Sequence, residues 1–175
     1  MPRPTLLTQP FFNRPTLVVA PELLGKYLVR ARDGQTTAYM LTEVEAYTGP
    51  DDLAAHSSKG RTPRTEVMFG PAGYWYVYFV YGMHHMLNIV TEEPGSGTAI
   101  LIRGVETISG PGRLTKQLGI DMGLNRTLAV KETGLWIEDR GVVVAPGQIL
   151  TTPRIGVAYA GPIWAAKPYR FLLKP

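Results

Sequence analysis

The chain has 175 residues and no cysteine. That excludes disulfide staples, thiolate nucleophiles and cysteine-ligated zinc, and it fits a reducing, intracellular setting. Histidine is scarce as well, three residues in all, and two of them, His84 and His85, are adjacent. On a strand that pair points to opposite faces, so a metal centre has few convergent ligands to draw on. No apolar run is long and clean enough to span a bilayer. The nearest, residues 74–90, is rich in tyrosine and contains Gly82, His84, His85 and Asn88. The first residues, MPRPTLLTQPFFNRP, hold no unbroken apolar segment of the kind a secretory signal needs. Internal repeats and low-complexity linkers are absent too. These absences together predict a soluble cytoplasmic protein with no membrane partner.

What is present suffices for one well-buried core: 45% of the residues are hydrophobic, and one domain over residues 1–175 is the expectation. Net charge is +4, which permits a polyanionic partner without requiring one. Residues 2–15 read as a partly ordered N-terminal arm. A helix is predicted over residues 16–26, with Pro15 at its first turn and Leu17, Ala20, Leu24 and Leu28 at near-helical spacing. Strands follow at 26–31 and 37–47, joined by Asp33-Gly34, a hairpin signal because that turn needs positive φ. A short helix fits residues 51–56. Further strands are predicted at 73–81, 84–91, 97–105, 135–144 and 148–151, with a helix from Gly110 to about Leu118. Hairpins outnumber βαβ crossovers. The predicted fold is therefore α/β of the α+β type, a single domain with a curved, mainly antiparallel sheet, flanking helices and a protruding hairpin.

Several side chains stand out. Alternation along 37–47 places Leu41, Glu43, Glu45 and Tyr47 on one face. A glutamate between aromatic walls loses solvent, gains proton affinity and becomes a usable base, although a solvated outer face explains the pattern equally well. Asp52 and His56 stand four apart, a helical pairing distance. Lys59, Arg61 and Arg64 fall in a turn-rich loop suited either to solvent or to phosphate. Of the chain's 5 Phe, 3 Trp and 9 Tyr, six lie in the eight residues 74–81. Tyr74, Tyr76, Tyr78 and Val80 share one side, and Trp75, Val77, Phe79 and Tyr81 the other. Most of these serve a core, but Tyr81 precedes Gly82 at the hairpin tip, where a ring suits a wedge between bases. Asn88 and Arg103 each interrupt an apolar strand, and such groups need a partner or a task. Gly110-Pro111-Gly112-Arg113 is a weak candidate for anion binding.

The segments EVEAYTGPDDLAAHS, GRTPRTEVMFGPAGYWYVYFVYGMHHMLNIV, AILIRGVE and GPGRLTKQLGI, in this order and spacing, resemble the alkyladenine (mammalian-type 3-methyladenine) DNA glycosylases. The resemblance runs from about Leu23 to Phe171 and is densest between Glu43 and Arg103. It implies Glu45 as the base that activates water, with Arg103 and the backbone of Ile155 beside it. It implies Tyr47, His56 and Tyr78 as the walls that stack a flipped base, Asn88 as the residue that disfavours guanine, and Tyr81 as the intercalating residue. Thr65 stands where the family often has Asn, and Arg126 where it often has Gly; both are loop positions.

The resemblance also implies no cofactor and no metal. The implied partner is double-stranded DNA holding alkylated or deaminated purines, bound by a monomer associated with the nucleoid, with Lys59, Arg61 and Arg64 on phosphates. An alkylated purine is already cationic and leaves easily, so one carboxylate suffices. No lysine is indicated at the site, which predicts a monofunctional hydrolase. Two other readings stay open at this point. One is a non-catalytic nucleic-acid-binding module on a scaffold like the C-terminal fold of formyltransferases. The other is a metal-dependent hydrolase using Asp51, Asp52 and His56.

Overall fold

The computed structural model describes residues 2–175. In chain order the elements are β1 (Thr5–Leu6), α1 (Gln9–Phe12), α2 (Thr16–Leu23), β2 (Tyr27–Arg32), β3 (Gln35–Tyr47), β4 (Trp75–Val80), β5 (His84–Thr91), β6 (Thr98–Val105), β7 (Ile108–Ser109), α3 (Pro111–Leu118), β8 (Leu135–Asp139), β9 (Ile149–Thr152), α4 (Gly161–Ala165) and β10 (Arg170–Leu173). All pairings between these strands are antiparallel, and the sheet runs β1-β8-β2-β3-β6-β5-β4, with β10 between β3 and β9 and β7 on β6. The α+β domain with one mainly antiparallel sheet is thus observed as predicted.

β3 is the spine. Its first half pairs with β2 and its second half with β10, while β6 lies along its other edge. Asp33 and Gly34 turn β2 into β3 with φ values of 52° and 76°, the left-handed pair that this two-residue hairpin requires. Two compensating irregularities interrupt the β3–β6 register. Leu41 faces Val105, Glu43 faces Gly104 and Val44 faces Ile102, so Thr42 is the extra residue on β3 and Arg103 the extra one on β6. Simple alternation is therefore wrong for Leu41. The bulge turns it into the core with Val44 and Ala46, while Glu43 and Glu45 stay together on the other face.

The helix before β2 is shorter than expected, and its inward face differs. Thr16, Val19, Ala20 and Leu23 are buried, whereas Leu17 is 40% exposed. The N-terminal residues expected to form an arm are integrated into the sheet region: β1 pairs with β8, and Phe12 is buried in the main core. The predicted strand 135–144 stops at Asp139, where the Asp139 carboxylate accepts from the Gly141 N–H at 2.8 Å and turns the chain.

The β4–β5 hairpin is rooted in the core through Trp75, Val77, Leu87 and Ile89. β6 supports β5 only from Asn88 onward, so the outer half of the hairpin projects past the sheet. Helix α3 braces that half from one side. Thr115 Oγ1 donates to the His85 carbonyl at 2.8 Å, and Gly112 lets the helix approach so closely that a Cβ there would sit 2.8 Å from His84 Nδ1.

Candidate active site

Glu45 lies in the second half of β3, opposite Leu101 of β6 and Arg170 of β10, and its side chain is fully buried. Arg103, the bulged residue of β6, projects between the two glutamates. Its Nη1 meets Glu45 Oε1 at 3.0 Å and its Nε donates to Glu43 Oε1 at 3.0 Å. Arg170 Nε closes the chain of charges on Glu43 Oε1 at 2.6 Å. Glu45 receives two further donors: the Ile155 N–H reaches Oε1 at 3.3 Å and the Tyr47 hydroxyl reaches Oε2 at 3.3 Å. Burial is the largest influence on this carboxyl and raises its pKa above the ordinary 4.5, while Arg103, the Ile155 N–H and Tyr47 oppose the rise. The result is a dry carboxylate held in one orientation at the end of a strand.

Beside it lies a cavity of about 30 Å³ lined by Tyr47, Ala54, His56, Met68, Tyr76, Tyr78, Asn88, Ala99 and Tyr159. Three of the tyrosines, the histidine and the asparagine converge from separate segments: the end of β3, the turn after it, β4 and β5. His56 opens a short 3-10 turn, and its Nδ1 meets the Tyr76 hydroxyl at 2.8 Å. Its ring packs against Tyr78 with centroids 4.5 Å apart. Burial, assisted by the nearby Arg64 charge, lowers the His56 pKa to about 4, so the imidazole is neutral near pH 7. Burial likewise raises Tyr47 and Tyr78, and it pushes Tyr76 up to about 12. The pocket therefore presents neutral aromatic faces, and Glu45 adjoins it through the hydroxyl of the lining residue Tyr47. Asn88 is buried and donates from Nδ2 to the Tyr76 carbonyl at 3.2 Å.

Tyr81 stands apart at the hairpin tip, 88% exposed. Both central residues of this turn are left-handed, Tyr81 at φ 55° and Gly82 at φ 65°, and the Met83 N–H closes it on the Val80 carbonyl at 3.2 Å. A tyrosine in that region carries local strain of about 1–2 kcal/mol. Lys59, Arg61 and Arg64 are all exposed on the loop below the pocket. Arg64 lies over the outer face of Tyr78 at 5.1 Å, and Arg61 lies over Phe69 at 4.9 Å while pairing with Glu66 at 3.3 Å.

The structure corrects one expected pairing. Residues 51–55 form turns rather than a helix, and Asp52 does not meet His56. Asp52 is fully buried against Arg154, and its two oxygens also accept the Thr48 and Ala54 N–H groups at 3.0 Å each. A carboxylate so fully engaged is not a free metal ligand. Tyr76, Tyr159, Arg154 and Arg170 join the site without having been singled out. Tyr76 was legible, because alternation already placed it beside Tyr78. The others arrive from the last third of the chain, and nothing local distinguishes them from surface residues.

A family model described as "Methylpurine-DNA glycosylase (MPG)" matches residues 10–175. The chain belongs to the methylpurine-DNA glycosylase family. The glycosylase is 47% identical to a Myxococcus xanthus protein named "Putative 3-methyladenine DNA glycosylase" over 177 residues, covering 96% of this chain and 90% of that one. A Legionella pneumophila protein (strain Lens) of the same name is 47% identical, with 96% and 94% coverage. A Methanocella arvoryzae relative, again so named, is 41% identical, with 95% and 91% coverage. The glycosylase is thus a DNA-repair enzyme that hydrolyses N-glycosyl bonds, and the non-catalytic reading is set aside. No helix among its described residues is long and apolar enough to cross a membrane.

Proposed function

We propose that this glycosylase removes alkylated or deaminated purines flipped out of duplex DNA, with Glu45 activating the attacking water. The observation that carries this reading is the fully buried Glu45 carboxylate, fixed by Arg103, the Ile155 N–H and Tyr47 at the edge of a tyrosine-walled pocket. A general base needs proton affinity and a fixed direction, and burial together with three donors supplies both. Tyr47, His56 and Tyr78 take the stacking role. A cationic alkylated base is favoured twice over, by the tyrosine faces and by the nearby negative charge, while the neutral His56 adds no repulsion.

Asn88 discriminates between base edges, since a buried polar group rejects a ligand that leaves it unmatched. Tyr81 fills the gap in the stack, and Lys59, Arg61 and Arg64 lie along the phosphates. The cavity has room for two or three waters, at about 10–15 Å³ each. Entry of a base therefore requires the walls to part. One chain supplies every group this mechanism needs, which fits a monomer working on the chromosome in the cytoplasm.

The test is base release from duplexes that each hold one defined lesion. Wild type should release 3-methyladenine or 1,N6-ethenoadenine, and Glu45→Gln should bind the same duplexes yet release almost nothing. Wild-type rates in Glu45→Gln would sink the assignment. In the same assay Asn88→Ser should raise excision of guanine-type relative to adenine-type lesions, and an unchanged ratio would remove Asn88 from the discriminating role.

A further inference from the structure

Four segments of the chain converge on one buried ion pair behind the site. Asp52 and Arg154 both have fully buried side chains. Arg154 Nη1 donates to Asp52 Oδ2 at 2.6 Å and Nη2 to Oδ1 at 2.9 Å. The remaining capacity of the pair goes to backbone. Asp52 holds the Thr48 and Ala54 N–H groups, while Arg154 donates to the Ala46 carbonyl at 2.9 Å and the Trp164 carbonyl at 3.3 Å. The guanidinium also lies over the rings of Tyr47 at 4.8 Å and Tyr169 at 5.2 Å.

We propose that Asp52 and Arg154 are a positioning pair for the reaction, holding the Ile155 N–H on Glu45 and the Tyr47–Ala54 side of the base pocket in one fixed mutual geometry. This role depends on Glu45 being the base, as read above. Ile155 follows Arg154 directly, and its N–H is a donor to Glu45. Little else locks that peptide. The Ile155 side chain is 50% exposed, and Gly156 after it is left-handed, with nothing within 4 Å of where a Cβ would stand. Arg154 is the anchor of this stretch. At the other end of the pair, the Asp52 carboxylate fixes the Ala54 peptide that lines the pocket, and the guanidinium plane backs Tyr47.

Stability alone is a poor reason for such a pair, because buried ion pairs are often replaceable by apolar residues without loss. An arginine serves here because its planar fork can bridge a carboxylate and two carbonyls, which a lysine cannot.

Besides its burial, the groups that act on the Glu45 carboxyl are Arg103 from β6, the Ile155 N–H and Arg154 from the stretch after β9, and Tyr47 from β3; the hydroxyls of Tyr78 and Tyr159 also face it, and Arg170 of β10 is held on Glu43. Arg154→Lys keeps the positive charge and removes the fork, so it separates geometry from charge. The experiment measures single-turnover base release across pH, lesion-duplex affinity and melting temperature for wild type and Arg154→Lys.

The expected result is a folded variant whose maximal rate drops about 100-fold, the scale of a misplacement near 1 Å. Affinity should fall less than the rate. The acid limb of the pH–rate profile should move to higher pH, because the Ile155 N–H no longer favours the ionised carboxylate. If Arg154→Lys does not fold, Asp52→Asn is judged by the same criteria. A folded variant with the wild-type rate, a rate loss with the acid limb unmoved, or failure of both variants to fold would overturn the proposal. Absence of base release by wild type would instead overturn the reading of the site itself.

Discussion

Glu45 and Tyr81 are opposite extremes of exposure, one on the central strand and the other at the tip of the hairpin. Glu45 is 0% exposed and its carboxylate is held by an arginine, a backbone N–H and a tyrosine hydroxyl. Tyr81 is 88% exposed, and the fold constrains its backbone rather than its ring. The difference matches the roles proposed for the two groups. A charge proposed to act on water gains from a buried, preorganised setting, where each dipole is worth more and none has to reorganise. A ring proposed to enter a base stack has its partner outside the protein, so the fold only needs to present it. The short turn presents it with both central residues left-handed, and β5 is tied to α3 by the Thr115–His85 hydrogen bond.

The largest expected effect comes from breaking the buried end. Glu45→Gln should lower base release by about 10²–10⁴-fold, the usual contribution of a general base, while lesion binding survives. The same carboxylate must be ionised to act. Wild-type activity should therefore fall as pH drops through a pKa lying above 4.5, and a profile flat down to pH 4 would contradict a raised Glu45.

The exposed end should fail differently. Tyr81→Ser should weaken lesion-duplex binding by about 1–3 kcal/mol, the scale of one base–aromatic stack. It should also return an ethenoadenine base to its stacked, quenched fluorescence while melting within a few degrees of wild type. Trp75→Ala, at the root of the same hairpin and 0% exposed, should instead cost about 3–5 kcal/mol of stability. Tyr81→Gly sharpens the contrast. Glycine accepts φ 55° without strain, so this variant should be no less stable than Tyr81→Ser yet equally impaired in flipping. Unfolding of Tyr81→Ser, or normal flipping in it, would remove the distinction between the two ends.

Smaller effects belong to the rim. Replacing Arg61 and Arg64 with Ala should flatten the slope of log affinity against log salt by about one to two units on undamaged duplex, and an unaltered slope would mean that this loop never meets phosphate. The last effect is on stability, and it appears only in acid. His56 is neutral in the folded protein down to about pH 4, whereas an exposed histidine takes a proton near 6.5. The unfolded chain thus binds more protons in that window, and stability should be lost as pH falls from 6.5 toward 4. His56→Gln should lose less over the same window in a melting series.

Much of this molecule is legible along the chain because it is local. Asp33-Gly34 marks a hairpin through its demand for positive φ, and 84–91 reads as a strand with the bounds observed for β5. Alternation separates Trp75 and Val77, which enter the core, from Tyr76 and Tyr78, which face the pocket. It fails where a bulge changes the count. Leu41 shows this most plainly, since a single extra residue at Thr42 moves it to the opposite face. Asp52 misleads for a related reason. Four-residue spacing to His56 means contact only on a helix, and this segment turns instead.

By its own pattern the sequence determined a single antiparallel α+β domain, a tyrosine-rich hairpin with Tyr81 at its tip, and the motifs shared with the glycosylase family. Only tertiary structure decided how the site is held. Arg103 reaches both Glu43 and Glu45 because two compensating bulges leave it without a register partner. Arg154, 102 residues from Asp52, meets it only in the folded chain, where β10 pairs with β3 and the last third returns to the site. Spacing and periodicity report on neighbours along the chain. Contacts between segments so distant depend on how the loops between them close, and no local pattern of residues encodes that.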